Sequence, residues 1–362
     1  MGFKCGLVGL PNAGKSTIFN AMTRLGVEAS AYPFCTIDPH VGIVPLEDDR
    51  LDTVYRLIGS AKKTHTTLEF VDIAGLVKGA SKGEGLGNQF LSNIGSMDAI
   101  AHVVRCFEDE NVSHPYENLD PVRDARTVTA ELILKDIEIV ERRLSKIRIS
   151  AKSGDSQARK TAAVLELIVD QLLSEKEIRH LKLDEYQNSL VREANLLTAK
   201  PVIFIANVDE THMKNSPLVR SLSEHAEQVQ AVCVPFCGKA QAEIAELDQT
   251  DQLEFLRAMG LDETGLQKIV KTGYSVLDLI TFFTANENEA HAWTIPAGTS
   301  VQKAAGKVHT DFEKGFIKSD VIKYKDLEQH GSTKALHDLG LVAIQGKEYI
   351  IEDGDLILFH IR

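Results

Sequence analysis

Residues 9–16, Gly-Leu-Pro-Asn-Ala-Gly-Lys-Ser, constrain this chain more than any other stretch. They match G-x-x-x-x-G-K-[ST] throughout, follow an apolar run at residues 4–10 and precede a helical one at residues 16–25. A strand, a glycine-rich turn and a helix in that order curl main-chain N–H groups around a phosphate and add the helix dipole. Asn12, Ala13, Gly14, Lys15, Ser16 and Thr17 are therefore expected to bind the phosphates of a nucleotide. Lys15 brings positive charge to the β- and γ-phosphates, a catalytic role, and the Ser16 hydroxyl suits Mg²⁺.

Further apolar, β-rich runs at residues 67–75, 99–107, 201–208 and 231–237 alternate with helical segments. Such runs mark parallel strands buried on both faces, and the alternation predicts a doubly wound α/β sheet of the P-loop NTPase kind. The rhythm stops between about residues 108 and 200. There Ile133, Ile137, Val140, Leu144 and Ile147 recur at 4-3-4-3 spacing, and Leu165, Ile168 and Leu172 continue after residues 150–157. This predicts two antiparallel helices turning near Gly154, either a protruding coiled-coil hairpin or an insertion packed on the sheet. Arg142, Arg143, Lys146, Arg148, Lys152, Arg159 and Lys160 make its end basic, as a solvated face or as a contact for RNA phosphates. A third helical piece is expected at about residues 184–198.

The last 80 or so residues alternate short strands with one helical stretch, which predicts a small α+β module with its own core. Lys303, Lys307, Lys314, Lys318, Lys323 and Lys325 give it local positive charge. The expected division is a discontinuous nucleotide-binding domain (1–125 and 199–277), a helical insertion (126–198) and a C-terminal module (278–362).

A net charge of -12 argues against wrapping nucleic acid with the whole surface, and DNA is not an expected partner. No run approaches the ~20 apolar residues of a membrane span, and residues 3–10 carry no basic stretch leading to a cleavage site. The five scattered cysteines read as reduced thiols, so the expected location is the cytoplasm. Nothing demands a dimer, and a monomer is expected.

Asp72 opens a D-x-x-G at the end of one predicted strand, where its carboxylate can hold the Mg²⁺ shell and the Gly75 amide can sense a γ-phosphate. Thr36 lies on a loop after the first helix and is placed to complete that shell. The glycine-rich residues 74–90 have the make-up of a switch segment. Where a guanine-reading site offers N-K-x-D, this chain has Asn207-Val208-Asp209-Glu210. The lysine stem is missing and the terminal acid is one methylene too long; unpaired guanine donors cost about 1–3 kcal/mol each. ATP is therefore expected over GTP, with Asn207 and Val208 at the base, and Asp209 as a guanine acceptor if the loop is slipped by one residue.

Together "GLPNAGKST", "DIAGLVKGAS", "GEGLGN", "NVDE" and "AWTIPAGTS" with "AAGKVHTDFEKGFI" resemble the YchF group of Obg-like P-loop ATPases over essentially the whole chain. The resemblance implies a ribosome-associated, cytoplasmic ATPase, with an inserted helical domain and a ubiquitin-like TGS domain at the C-terminus. Thr36, the D-x-x-G and the glycine-rich residues 74–90 favour an ATP-driven conformational switch acting on the translation apparatus. Leu76 stands where many switch GTPases carry a water-orienting glutamine, so slow hydrolysis is expected. Asn12 resembles the asparagine of NTPases that use K⁺ near the phosphates, and His114, on the loop 108–118, is a second candidate to assist. The competing readings are a GTP-dependent translation factor, a nucleotide-gated ribosome-binding scaffold with negligible turnover, and a metabolic kinase, for which no acceptor pocket is legible.

Overall fold

The computed structural model describes residues 2–25, 41–72, 94–109, 111–210, 216–244, 247, 251, 252, 254, 256 and 263–362. Among them, the strands form two six-stranded sheets. The first has the order β2-β4-β1-β5-β6-β7, from β1 (Lys4–Val8), β2 (Val41–Pro45), β4 (Thr67–Asp72), β5 (Ala99–Arg105), β6 (Val202–Asn207) and β7 (Val232–Phe236). All neighbours are parallel except β2, which runs antiparallel to β4. β1, β4, β5, β6 and β7 lie within the five apolar runs of the sequence. β2 does not: it is a short edge strand that includes Gly42 and Pro45, two residues that weaken the strand signal.

The sheet is covered on both faces, which is why its central strands are largely apolar. One face packs Ile100, Val104, Phe204 and Ala206 under Leu222 and Ala226 of α6 (Pro217–Gln228) and under Ala125, Val128 and Leu132. The other packs Leu7, Val103, Ile203 and Ile205 under Ile18 and Met22 of α1 (Lys15–Leu25) and under Ile269 and Val270 of α8 (Gly265–Val276).

Ala125, Val128 and Leu132 open α3 (Pro121–Lys152), a helix of 32 residues, about 48 Å long at 1.5 Å per residue. Asp120 caps it by accepting from the N–H groups of Val122 and Arg123, with proline in the first turn. Gly154, in the left-handed region at φ 100°, and the Asp155 cap turn the chain into α4 (Ser156–Leu173). The predicted seam forms: Ile133, Val140 and Leu144 are buried with Leu165, Ile168 and Leu172, and Ile137 and Ile147 are partly buried beside them. The two sequence alternatives are divided along one helix, since the first turns of α3 pack on the sheet and the rest packs on α4. Leu190 and Val191 of α5 (Glu185–Ala194) join the same core. Buried Asp136, midway along α3, accepts from Leu197 N and Thr198 N, both at 2.8 Å, and from Thr198 Oγ1 at 2.6 Å, pinning the helix to the lead-in of β6.

The second sheet has the order β11-β10-β12-β8-β9-β3, from β3 (Lys62–Thr64), β8 (Leu279–Ala285), β9 (Glu289–Pro296), β10 (Phe316–Ile322), β11 (Ala343–Gln345) and β12 (Leu356–Ile361). Here the structure departs from the domain limits read from sequence. By sequence, residues 49–64 belong to the nucleotide-binding domain. Instead α2 (Asp49–Ile58) buries Leu51 and Val54 against Phe283, Ala290, Leu327 and Leu336, and β3 pairs in parallel with β9. The other face of this sheet packs Phe282, Ile295 and Val321 under Val301 and Ala304 of α9 (Val301–Val308). No helix among the described residues is long and apolar enough to cross a membrane.

Candidate functional site

The loop between β1 and α1 is shaped by what surrounds it. A Cβ on Gly9 would meet the Val103 carbonyl oxygen at 2.4 Å, and one on Gly14 would meet Asn207 Nδ2 at 2.0 Å. Gly14 has φ 92° and Asn12 φ 62°, the left-handed conformation that glycine and asparagine tolerate best. The turn closes with Ala13 N donating to Leu10 O at 3.3 Å, and α1 begins with Ile18 N donating to Gly14 O at 3.0 Å.

Lys15 is buried and spans the loop, donating from Nζ to Gly9 O at 3.1 Å and Leu10 O at 2.9 Å. Burial lowers its pKa, opposed by the nearby Asp72 carboxylate. Ser16 Oγ donates to Asp72 Oδ2 at 3.4 Å, so the hydroxyl and carboxylate named from sequence do meet. This pair of hard oxygens at the start of α1 suits Mg²⁺. Thr17 is exposed, with its methyl toward Gly238. Thr36, Gly75, Leu76 and the glycine-rich residues 74–90 lie outside the described residues.

The base-reading run differs in detail from expectation. Asn207, at the end of β6, is buried and donates from Nδ2 to Ala13 O at 3.0 Å, tying this run to the phosphate loop. Val208 N donates to Phe236 O at 3.1 Å, and the Val208 side chain is in the core. Val208 therefore offers a base neither its N–H nor its side chain, and what it can present is its main-chain carbonyl. Glu210, in the place of a guanine-reading aspartate, is ion-paired with Lys239 at 3.0 Å.

His114 is held rather than loose. Its Nε2 donates to Asp124 Oδ2 at 2.8 Å, which leaves Nδ1 to accept from Tyr116 N at 3.2 Å. It lines a space of only about 10 Å³ with Leu10, Pro11 and Ala13, behind the phosphate loop. The free swing toward water imagined from sequence is not available while both ring nitrogens are engaged. Ser113, beside it, accepts from Asn12 Nδ2 through both its carbonyl oxygen and its Oγ, each at 3.1 Å.

Sequence reasoning missed Arg105 and Asp124. Arg105 ends β5 and is 4% exposed. It donates to the carbonyls of Phe107 at 3.0 Å, Val112 at 2.8 Å and Asp109 at 3.1 Å, and lies over the Phe107 ring. A charge at the end of an apolar run was the available signal. Cys5, Cys106, Cys233 and Cys237 are free thiols, and burial pushes Cys5 up to about 12.

The basic groups singled out for RNA are partly satisfied internally. On the hairpin, Arg142 pairs with Glu138, Arg143 with Glu193 at 2.5 Å and Arg148 with Glu166 at 2.8 Å. Lys323 is held by Asp355 at 2.8 Å and Glu352 at 2.9 Å.

Two sequence families match. One described as a 50S ribosome-binding GTPase covers residues 4–143, and YchF-GTPase_C, described as a protein of unknown function, covers residues 279–362. Proteins named ribosome-binding ATPase YchF from Haemophilus ducreyi and Escherichia coli O157:H7 are each 46% identical over 359 residues, covering 99% of both chains. The protein of that name from Bacillus subtilis is 44% identical over 362 residues, again with 99% of each covered. The structure titled Schizosaccharomyces pombe YchF GTPase superposes with a TM-score of 0.89 at 33% identity, over 99% of this chain and 97% of that one.

Proposed function

The chain belongs to the YchF family, and on that footing we propose that it is a ribosome-binding ATPase that prefers ATP to GTP. It hydrolyses ATP slowly to ADP and phosphate and works as a nucleotide-dependent switch in the cytoplasm. The observation that carries the base preference is the state of Val208 and Glu210. With Val208 in the core and Glu210 paired to Lys239, the run has no lysine stem under a base, and the acid standing in the place of guanine's aspartate is already engaged. Adenine, with its amino group and unprotonated N1, loses less than guanine at such a site.

Mg²⁺ would be held by Ser16 and Thr36, with Asp72 behind them, and would neutralise charge on the transferring phosphoryl group. Asn12 Nδ2 is occupied by Ser113, which leaves Oδ1 as the oxygen the side chain can offer K⁺. Lys15 exchanges the carbonyls of Gly9 and Leu10 for phosphate oxygens, and the fall in its pKa on burial marks it as a charge that gains from an anion. His114 can assist hydrolysis only after giving up Asp124. The second sheet and its helices are read as the TGS domain, and α3 and α4 as the coiled-coil insertion. With these two modules the protein, as a monomer, contacts the ribosome locally.

Competition of ATP and GTP against a fluorescent ADP analogue tests the base preference, and equal affinities would refute it. Cosedimentation with ribosomes at low salt, in ATP and in ADP, tests the partner. Absence from the ribosome pellet in both states would refute that part.

A further inference from the structure

We propose that Arg105 is a positioning residue for the phosphate loop, acting through Ser113 on Asn12. The proposal rests on reading residues 9–16 as an ATP-hydrolysing site, and Arg105 itself touches no part of that site. Its guanidinium is almost wholly buried, and among the described residues no carboxylate pairs with it. A buried charge needs donors matched by acceptors. Here the acceptors are three main-chain carbonyls within six residues, Phe107, Asp109 and Val112. A planar fork with five N–H donors in fixed directions holds those three carbonyls in one arrangement, which the compact, rotatable ammonium of a lysine does not reproduce.

The residue after Val112 is Ser113. Its carbonyl oxygen can only accept, so the Asn12 amide must turn Nδ2 toward it, and the 3.1 Å contacts to Ser113 O and Oγ fix the amide in that sense. Asn12 sits in the left-handed conformation within the loop that would wrap the phosphates. The orientation of its Oδ1 is therefore set by where Ser113 stands, and Ser113 stands where Arg105 holds the chain. The far end of the same loop is anchored separately, by His114 on Asp124 of α3. Release of Arg105 thus loosens residues 107–113 without detaching the loop from the helix.

The test uses the full-length protein with R105Q, R105K, N12A and the double variant R105Q/N12A. R105Q is expected to bind a fluorescent ADP analogue within about twofold of wild type, while single-turnover hydrolysis of ATP slows about tenfold. N12A is expected to slow hydrolysis to a similar degree, and the double variant to be no slower than N12A alone, because both remove one interaction. R105K, which keeps the charge without the planar fork, is expected to fall between wild type and R105Q, and it stands in if R105Q does not fold. Amide exchange of residues 107–113 gives a readout independent of turnover, expected to rise about tenfold in R105Q. Multiplying losses in the double variant, weakened binding with an unchanged hydrolysis rate, R105K at the wild-type rate, or unchanged exchange in R105Q would each overturn the proposal. A wild-type protein that fails to hydrolyse ATP would instead overturn the ATPase reading. Exchange would then decide the Arg105–Asn12 link alone, with N12A also expected to loosen residues 107–113.

Discussion

Gly14 has no room for a side chain and adopts a conformation that side chains resist. Its φ of 92° and the 2.0 Å approach of Asn207 Nδ2 to an added Cβ act together. G14A should push Asn207 off Ala13 O, separating the base-reading run from the phosphate loop. Backbone strain of this sort costs about 1–3 kcal/mol, so nucleotide affinity is expected to fall at least about tenfold. Titration with a fluorescent ADP analogue measures it, and an unchanged affinity would show that the Asn207 tie is dispensable. His102 makes a different prediction. It is wholly buried beside β6, and burial, then the charges of Arg179, His225 and Lys15, push its pKa from 6.5 down to about 3. The unfolded chain takes up that proton first, so the stability due to neutral His102 is complete above pH 6.5 and is lost as pH falls toward 3. His291, held down to about 4, acts in the same sense. Urea unfolding of wild type and H102Q between pH 7 and 4, a range spanning the His unfolded pKa of about 6.5, should show a shallower pH slope in the variant. The difference is at most one proton, about 1.4 kcal/mol per pH unit.

Among the elements, α3 does the most to join parts of the molecule, and Asp136 is its fixed point. Burial raises the Asp136 carboxyl to about 6, opposed by its bonds to Thr198 and Leu197. D136A removes three accepted hydrogen bonds and leaves two buried main-chain N–H groups without a partner. The expected loss is about 2–4 kcal/mol of stability, read by urea unfolding at pH 7; a loss under about 1 kcal/mol would mean that water replaces the carboxylate. The elements differ in how far sequence discloses them. β5 and β6 were legible because a strand buried on both faces is apolar over most of its length, and α3 and α4 because Ile133 to Ile147 and Leu165 to Leu172 repeat at helical spacing. β3 was not, since Lys-Lys-Thr carries no strand signal of its own and its partner Glu289–His291 lies more than 200 residues away in the chain. Within the site, the phosphate loop and Asp72 were legible because their chemistry demands fixed residues at fixed spacing. Arg105 escaped notice because its partners are main-chain carbonyls, which any sequence supplies. The engagement of the Val208 N–H was hidden for a related reason: Phe236 O takes it, a bond set by sheet register that no motif encodes.

At the scale of the whole molecule, the second sheet is not a separable appendage. The chain leaves the first sheet at Pro45, builds α2 and β3 into the second, and returns as β4. β2 follows the segment that carries Thr36, and β4 ends at Asp72. The strands on either side of this excursion therefore flank two of the positions expected to sense the γ-phosphate. The joint is specific. Arg50 pairs with Asp48 at 2.7 Å on its own side and with Asp353 at 2.6 Å across the joint, and lies over the Phe283 ring. Thr66 and Thr294 share a hydrogen bond at 2.7 Å, and the Tyr274 hydroxyl joins them from α8. Leu51, wholly buried, fills the core from the α2 side. Residues 278–362 alone would leave Phe283, Ala290, Leu327 and Leu336 without that cover and β9 without β3. Uncovering core side chains of this size removes about 1.5–3 kcal/mol each, comparable in sum with the whole stability of a small domain. A fragment of residues 278–362 is therefore expected to bind a hydrophobic dye and to give poorly dispersed amide resonances. The same fragment joined by a short flexible linker to residues 46–66 should show dispersed resonances and a cooperative thermal transition. In the intact chain, L51A should cost about 2–5 kcal/mol and raise amide exchange in β8, β9 and β12 more than in β1, β5 and β6. A stably folded 278–362 fragment, or exchange in L51A raised equally in both sheets, would mean that α2 and β3 decorate the C-terminal module rather than complete it.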